Sequence, residues 1–102
     1  TSAGWAILSG LGHEQVWGIL AASESSQETI NKFQRWYPDM RATGECVAPG
    51  VALNGADGVA VRVESQGVAV ASVSVIASTE QIARDAERII EVLRRHSARW
   101  NR

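Results

Sequence analysis

Helical and extended patterns divide the chain near its middle. From Ala3 to Leu8 good helix formers follow Thr1 and Ser2, both competent caps, until Gly10 and Gly12 bracket Leu11 as a stop. From about His13 to Ala22, Val16, Ile19 and Leu20 recur at helical spacing, with Glu14 near the positive N-terminal end. These two helices form a hairpin. Ser23-Glu24-Ser25-Ser26 is a polar loop, and Ser25 with Glu28 makes a capping box for a third helix that carries Ile30, Phe33 and Trp36 on one stripe. Tyr37 before Pro38, with Asp39 behind, is turn chemistry that ends this helix near Trp36.

From Gly44 the pattern becomes extended. Glu45 to Leu53 holds Val47, Val51 and Leu53, interrupted by Pro49-Gly50 as at an edge strand or a bulge. Asn54 to Gly58 reads as a turn, after which Val59, Val61 and Val63 alternate with Ala60, Arg62 and Glu64 as in a strand with one wet face. Ser65-Gln66-Gly67 turns the chain into Val68 to Ala77, an uncharged run of β-branched and small residues. That run predicts a central strand buried on both faces, around which the rest is organised. Its polar side chains, Ser72 and Ser74, share a face and are followed by Ser78 and Thr79 where strand becomes helix. In the last helix Ser78 caps, Gln81 takes the box position, and Ile82, Ala86, Ile89, Leu93 and His96 make the stripe facing the sheet. The connections are too short for crossovers, so the fold class is α+β: an antiparallel meander of about three strands flanked by helices.

Composition narrows the function. A length of 102 residues makes one domain. A net charge of −1, from ten basic and eleven acidic residues, gives this chain no electrostatic footprint for DNA or an anionic membrane. No signal peptide or bilayer-spanning apolar run is present, and one cysteine, Cys46, excludes an internal disulfide, so a reducing cytoplasm is expected. The chain opens at Thr1 on a helix start without methionine, which points to a fragment or a processed product. No nucleophile–base pair, metal set or cofactor loop can be assembled, which disfavours an enzyme; catalytic residues, metal and cofactors are therefore none. His13, Glu14 and His96 lack partners at ligand spacing, and Gly10-Leu11-Gly12 lacks the rest of a dinucleotide fingerprint. Cys46 beside Glu45 has no nearby base and is read as inert. Arg94, Arg95, Arg99 and Arg102 complement the last helix's dipole. Trp36 joins Phe33 in the core, while Trp17 and Trp100 are candidate anchors for a subunit contact.

The order of elements carries a resemblance. Thr1-Ser2-Ala3-Gly4 resembles the threonine-alanine-alanine-glycine helix start in the effector domain of IclR-type transcriptional regulators. Glu14-Gln15-Val16 looks like that family's next helix, Glu28-Thr29-Ile30 its threonine-isoleucine helix start, Gly44 the glycine after its third helix, and Val73-Ser74-Val75 its leucine-serine-valine strand. The resemblance implies a GAF-like ligand domain of which residues 1–102 are the C-terminal, incomplete part, the DNA-binding domain being absent from this chain. It departs from the family after Gly44, where Glu45-Cys46-Val47-Ala48-Pro49-Gly50 lacks an acidic pair, the loop is shorter, and Cys46 comes too early to equal the family's strand cysteine.

Carried over residue by residue, the ligand-binding positions implied are Ser2 and Ala3 at the first helix start, Ser74 and Ile76 on the strand, and Thr79 at the last helix. Ile76 stands where the family commonly has serine, which makes the pocket less polar. Physically, a helix N-terminus offers donors and a partial positive charge to a carboxylate, and a strand serine can donate to a ligand oxygen. An ordinary N-cap at Ser2 and a serine satisfied by a neighbouring carbonyl at Ser74 are the bland counterparts. The functional expectation is a small-molecule effector, such as a small carboxylate, bound by a dimer or tetramer that reaches DNA through the missing domain. The alternative is a stand-alone dimerisation or interaction domain with no ligand.

Overall fold

The computed structural model describes residues 2–47 and 55–101, and of Ser2 the backbone alone. The expectations for Thr1 and the Ser2 side chain, for Pro49-Gly50, Val51, Leu53 and Asn54, and for Arg102 lie outside the described residues. Helices α1 (Ser2–Leu8), α2 (His13–Ala22) and α3 (Gln27–Thr43) lead into strands β1 (Glu45–Val47), β2 (Ala56–Ser65) and β3 (Val68–Ser78), then α4 (Thr79–Ser97) and a 3-10 turn over Ala98–Trp100. The sheet is an antiparallel meander in the order β1-β2-β3.

Strand alternation separates two layers. Ala60 on β2 and Cys46 on β1 pack under Trp5, Ala6, Val16, Leu20, Phe33, Tyr37 and Met40 of α1, α2 and α3. Val59, Val61 and Val63, also buried, point to the opposite face, where α4 lays down Ile82 and the half-buried Ala86, Ile89 and Leu93. Inside the first layer Trp5, Trp17, Phe33 and Tyr37 form a chain of edge-to-face and tilted ring contacts 5.2 to 6.1 Å apart.

Several expectations are corrected. First, α3 does not stop at Trp36 but runs through Pro38 to Thr43, where Gly44, at φ 74°, donates its amide to the Met40 carbonyl at 2.8 Å. An interior proline costs about 3 kcal/mol. Carrying the helix on buries Tyr37 and Met40 in line with Phe33, at roughly 2 kcal/mol each, and the exposed Pro38 lies away from that stripe. Trp36 is only half-buried, and the N-cap is Ser26, accepting from the Thr29 amide at 3.2 Å, rather than Ser25. Second, β2 begins at Ala56, so Asp57 and Gly58 are buried within a strand, not part of a turn.

Third, the strand buried on both faces is β2, not β3. β3 is the outer strand, with Val68, Val70, Val75 and Ile76 exposed. Among the described residues it is the last of three meander strands and pairs on one side only. The face of β2 that alternation marks as wet is covered by α1, so Ala60 is buried and the Arg62 side chain is 10% exposed. Fourth, the α4 stripe ends on buried Ser97, and His96 is exposed. The Ser78 cap is as expected, accepting from the Gln81 amide at 3.1 Å.

Candidate functional site

On β3 the even-numbered residues from Ser72 to Ser78 pair with Arg62, Ala60, Gly58 and Ala56 and so share the face on which α1 lies. The Ser72 hydroxyl donates to the Ala3 carbonyl at 3.0 Å, which ties the first turn of α1 to the strand. Ser74, two residues on, is exposed on the same face, and Ile76 beyond it is 73% exposed. Thr79 is exposed at the far end, where the chain turns onto the opposite face to begin α4, and its amide donates to the Gly55 carbonyl at 2.9 Å. Thus Ala3, Ser74 and Ile76 border one open face beside α1, whereas Thr79 lies five residues beyond Ser74, about 16 Å along the strand, where the chain has left that face. Such a face suits a ligand held by hydroxyls and backbone groups rather than by a side-chain charge.

The α4 side carries a groove of about 300 Å³ lined by Val75, Ile89, Val92 and Leu93, with Asp85 and Arg88 at its rim. A polar cleft of about 280 Å³ lies between the ends of α3 and α4, lined by Thr43, Gly44, Arg62, Glu64, Arg94 and Asn101. Both of its arginines are already engaged. Arg62 donates to Glu64 at 2.8 Å, to the Ser9 hydroxyl at 3.0 Å, and to the Met40 and Arg41 carbonyls at 3.2 Å. Arg94 pairs with Glu45 and the Thr43 carbonyl. Arg62 thereby closes the C-terminal end of α3, where carbonyls lack helical partners and the dipole is negative. The reading of Arg62 as a wet-face residue missed this; a lone arginine within Val59-Ala60-Val61-Arg62-Val63 was the available signal.

Cys46 is enclosed between β2 and the helices, and burial pushes its thiol up to about 11. Among the described residues no group of acidic, histidine and cysteine side chains could hold a metal ion. No described helix is long and apolar enough to cross a membrane.

No protein-family model matches the sequence, and no curated protein matches it. Solved structures do. A Rhodococcus sp. RHA1 protein described as a transcriptional regulator superposes with a TM-score of 0.80 at 20% identity, over 96% of this chain and 44% of that one. The C-terminal domain of a Vibrio cholerae protein so described gives 0.78 at 18% identity, over 95% and 59%. A Silicibacter sp. TM1040 protein described as an IclR transcriptional regulator gives 0.77 at 21% identity, over 98% and 42%. The α+β fold of this chain, with its three-stranded antiparallel sheet, superposes on part of each of these proteins, and the chain spans about half the length of the structures it matches.

Proposed function

We propose that these residues are part of the effector-binding and oligomerising domain of an IclR-like transcriptional regulator that works in the cytoplasm and contacts DNA through a helix-turn-helix domain outside them. The observation that carries this reading is the shared fold: almost the whole chain superposes on several proteins described as regulators, one of them on its C-terminal domain alone. The residue-level resemblance at Ser2-Ala3-Gly4 and Val73-Ser74-Val75 runs in the same direction. The chain acts by binding rather than by catalysis.

In this reading Ser74 and Ile76 floor the site, with Ser2 and Ala3 at its border, and the effector is a small carboxylate or neutral polar metabolite. Binding that favours one arrangement of subunits over another then changes the spacing of the DNA-binding heads. Calorimetry against a panel of small carboxylates, on the chain and on the regulator that contains it, is the test. Ser74→Ala is expected to weaken binding about fivefold, the worth of one neutral hydrogen bond at about 1 kcal/mol, with the fold intact. Ser74→Val is expected to block the site. Unchanged affinity in both variants would remove Ser74 from the site, and no binding across the panel would remove the carboxylate reading.

A second reading, a dimerisation domain without a ligand, draws on Ser72. Its hydroxyl is already used by the Ala3 carbonyl, as a purely structural strand serine would be.

A further inference from the structure

At the sheet edge away from β3, the last turns of α3 and strand β1 enclose a groove of about 270 Å³ lined by Trp36, Asp39, Met40, Thr43, Glu45 and Val47. Trp36, Met40 and Thr43 recur at helical spacing and make one wall, and Glu45 and Val47, alternate residues of β1, make the other. The two walls are tied together. The Thr43 hydroxyl donates to the Asp39 carbonyl at 2.8 Å and accepts from the Glu45 amide at 3.1 Å.

The groove sets an indole and a thioether between two carboxylates. Met40 is buried and Trp36 and Val47 are half-buried, so the floor is apolar and polarisable. Among the described residues the exposed Asp39 carboxylate has no partner, although Arg35 stands one turn before it on α3. Glu45 receives both of its Arg94 bonds on Oε2, so its Oε1 has no partner among the described residues. Two carboxylates against one guanidinium leave the groove net negative. It also lies at the C-terminal end of α3, the negative end of the helix dipole. That end already draws two cations, Arg62 to the Met40 and Arg41 carbonyls and Arg94 to the Thr43 carbonyl.

We propose that this groove binds a small organic ammonium ion, whose alkyl groups lie on Trp36 and Met40 while its charge faces Asp39 and the second oxygen of Glu45. An indole attracts a cation, and the carboxylates beside it select an ammonium over a neutral molecule of the same shape. Anions are repelled. A divalent metal ion needs six or more oxygen ligands, which an apolar floor does not supply. The volume, near the lower bound of about 300 Å³ for small-molecule sites, suits an amine of a few carbons. A lysine side chain from the rest of the protein carries the same chemistry, and the test separates the two sources. The site lies across the sheet from Ser74 and Ile76 and does not depend on the reading given to them. A cation held there bridges α3 and β1 beside the Glu45–Arg94 link to α4.

Tetramethylammonium chloride, titrated into the isotopically labelled chain and into the regulator that contains it, tests the proposal. The Trp36 indole and Val47 amide resonances are the readout, with ionic strength held constant by sodium chloride. The expected result is a saturating shift of both in the millimolar range, absent with tert-butanol, an uncharged molecule of similar shape. Asp39→Asn is expected to weaken binding about threefold with unchanged circular dichroism. Trp36→Leu is expected to weaken it about fivefold, with Trp36→Phe restoring part of the loss; the Asp39 result stands even if Trp36→Leu fails to fold. No saturating shift, equal shifts with tert-butanol, or binding indifferent to Asp39→Asn overturns the proposal. Binding by the chain that vanishes in the regulator also overturns it, because the rest of the protein then fills the groove.

Discussion

Inside the core, Cys46 exchanges reactivity for packing. Its thiol touches no water, and burial moves its proton loss from 9.0 to about 11. The unfolded chain therefore releases this proton at a pH where the native chain still holds it. The stabilising contribution is complete below about pH 9 and falls as pH rises toward 11, because there the unfolded state gains by ionising. Urea midpoints across that window should fall more steeply for the wild type than for Cys46→Ala; parallel curves would show the thiol to be wetter than its position requires. The same enclosure predicts a thiol inert to alkylation at neutral pH until the protein unfolds. Arg62 is the complementary case. It is nearly buried, and two carbonyls, a hydroxyl and a carboxylate accept from its guanidinium.

At the scale of elements, the joints around Arg62 are set by two glycines that act for different reasons. A Cβ on Gly10 would lie 2.5 Å from the Arg62 Cδ and 2.6 Å from the Ala69 Cβ, so the end of α1 would have to lift off the sheet. A Cβ on Gly44 would meet Arg62 at an ordinary 3.7 Å, and the cost there is only the left-handed backbone at φ 74°. Gly10→Ala is expected to cost about 2 to 3 kcal/mol, in the range of overpacking, and Gly44→Ala about 1 kcal/mol, read as denaturant midpoints. The reverse order would mean that α1 yields more easily than the cap. The bounds of α1 and α2, the Ser78 cap and the meander order were legible in the sequence, because caps, glycines and short connections act locally. What was not legible depends on neighbours distant in sequence. Pro38 reads locally as a stop and is overruled by the burial of Tyr37 and Met40; Arg62 reads as wet and is covered by α1. Ser74 and Ile76 were placed on the right element, but their exposure follows from what lies beside β3, which composition does not specify.

For the molecule as a whole, the balance of charge argues against DNA contact by these residues. With a net charge of −1 and basic side chains engaged in ion pairs such as Arg62–Glu64 and Arg94–Glu45, these residues carry no net positive charge with which to release counterions from a duplex. Titrated into labelled DNA at physiological salt, these 102 residues should show no sequence-dependent binding below the micromolar range. Sub-micromolar, sequence-dependent affinity would overturn this division of labour. The bulge in β3 bears on where the strand tolerates a change of length. Val63 pairs with Ala71 and Glu64 with Ala69, which leaves Val70 as a supernumerary, exposed residue. Deleting it would restore regular pairing while Ala69 kept its place against Gly10 and Ala71 its place toward α4. Position 70 is thus a point at which one residue can be gained or lost without turning a buried row outward.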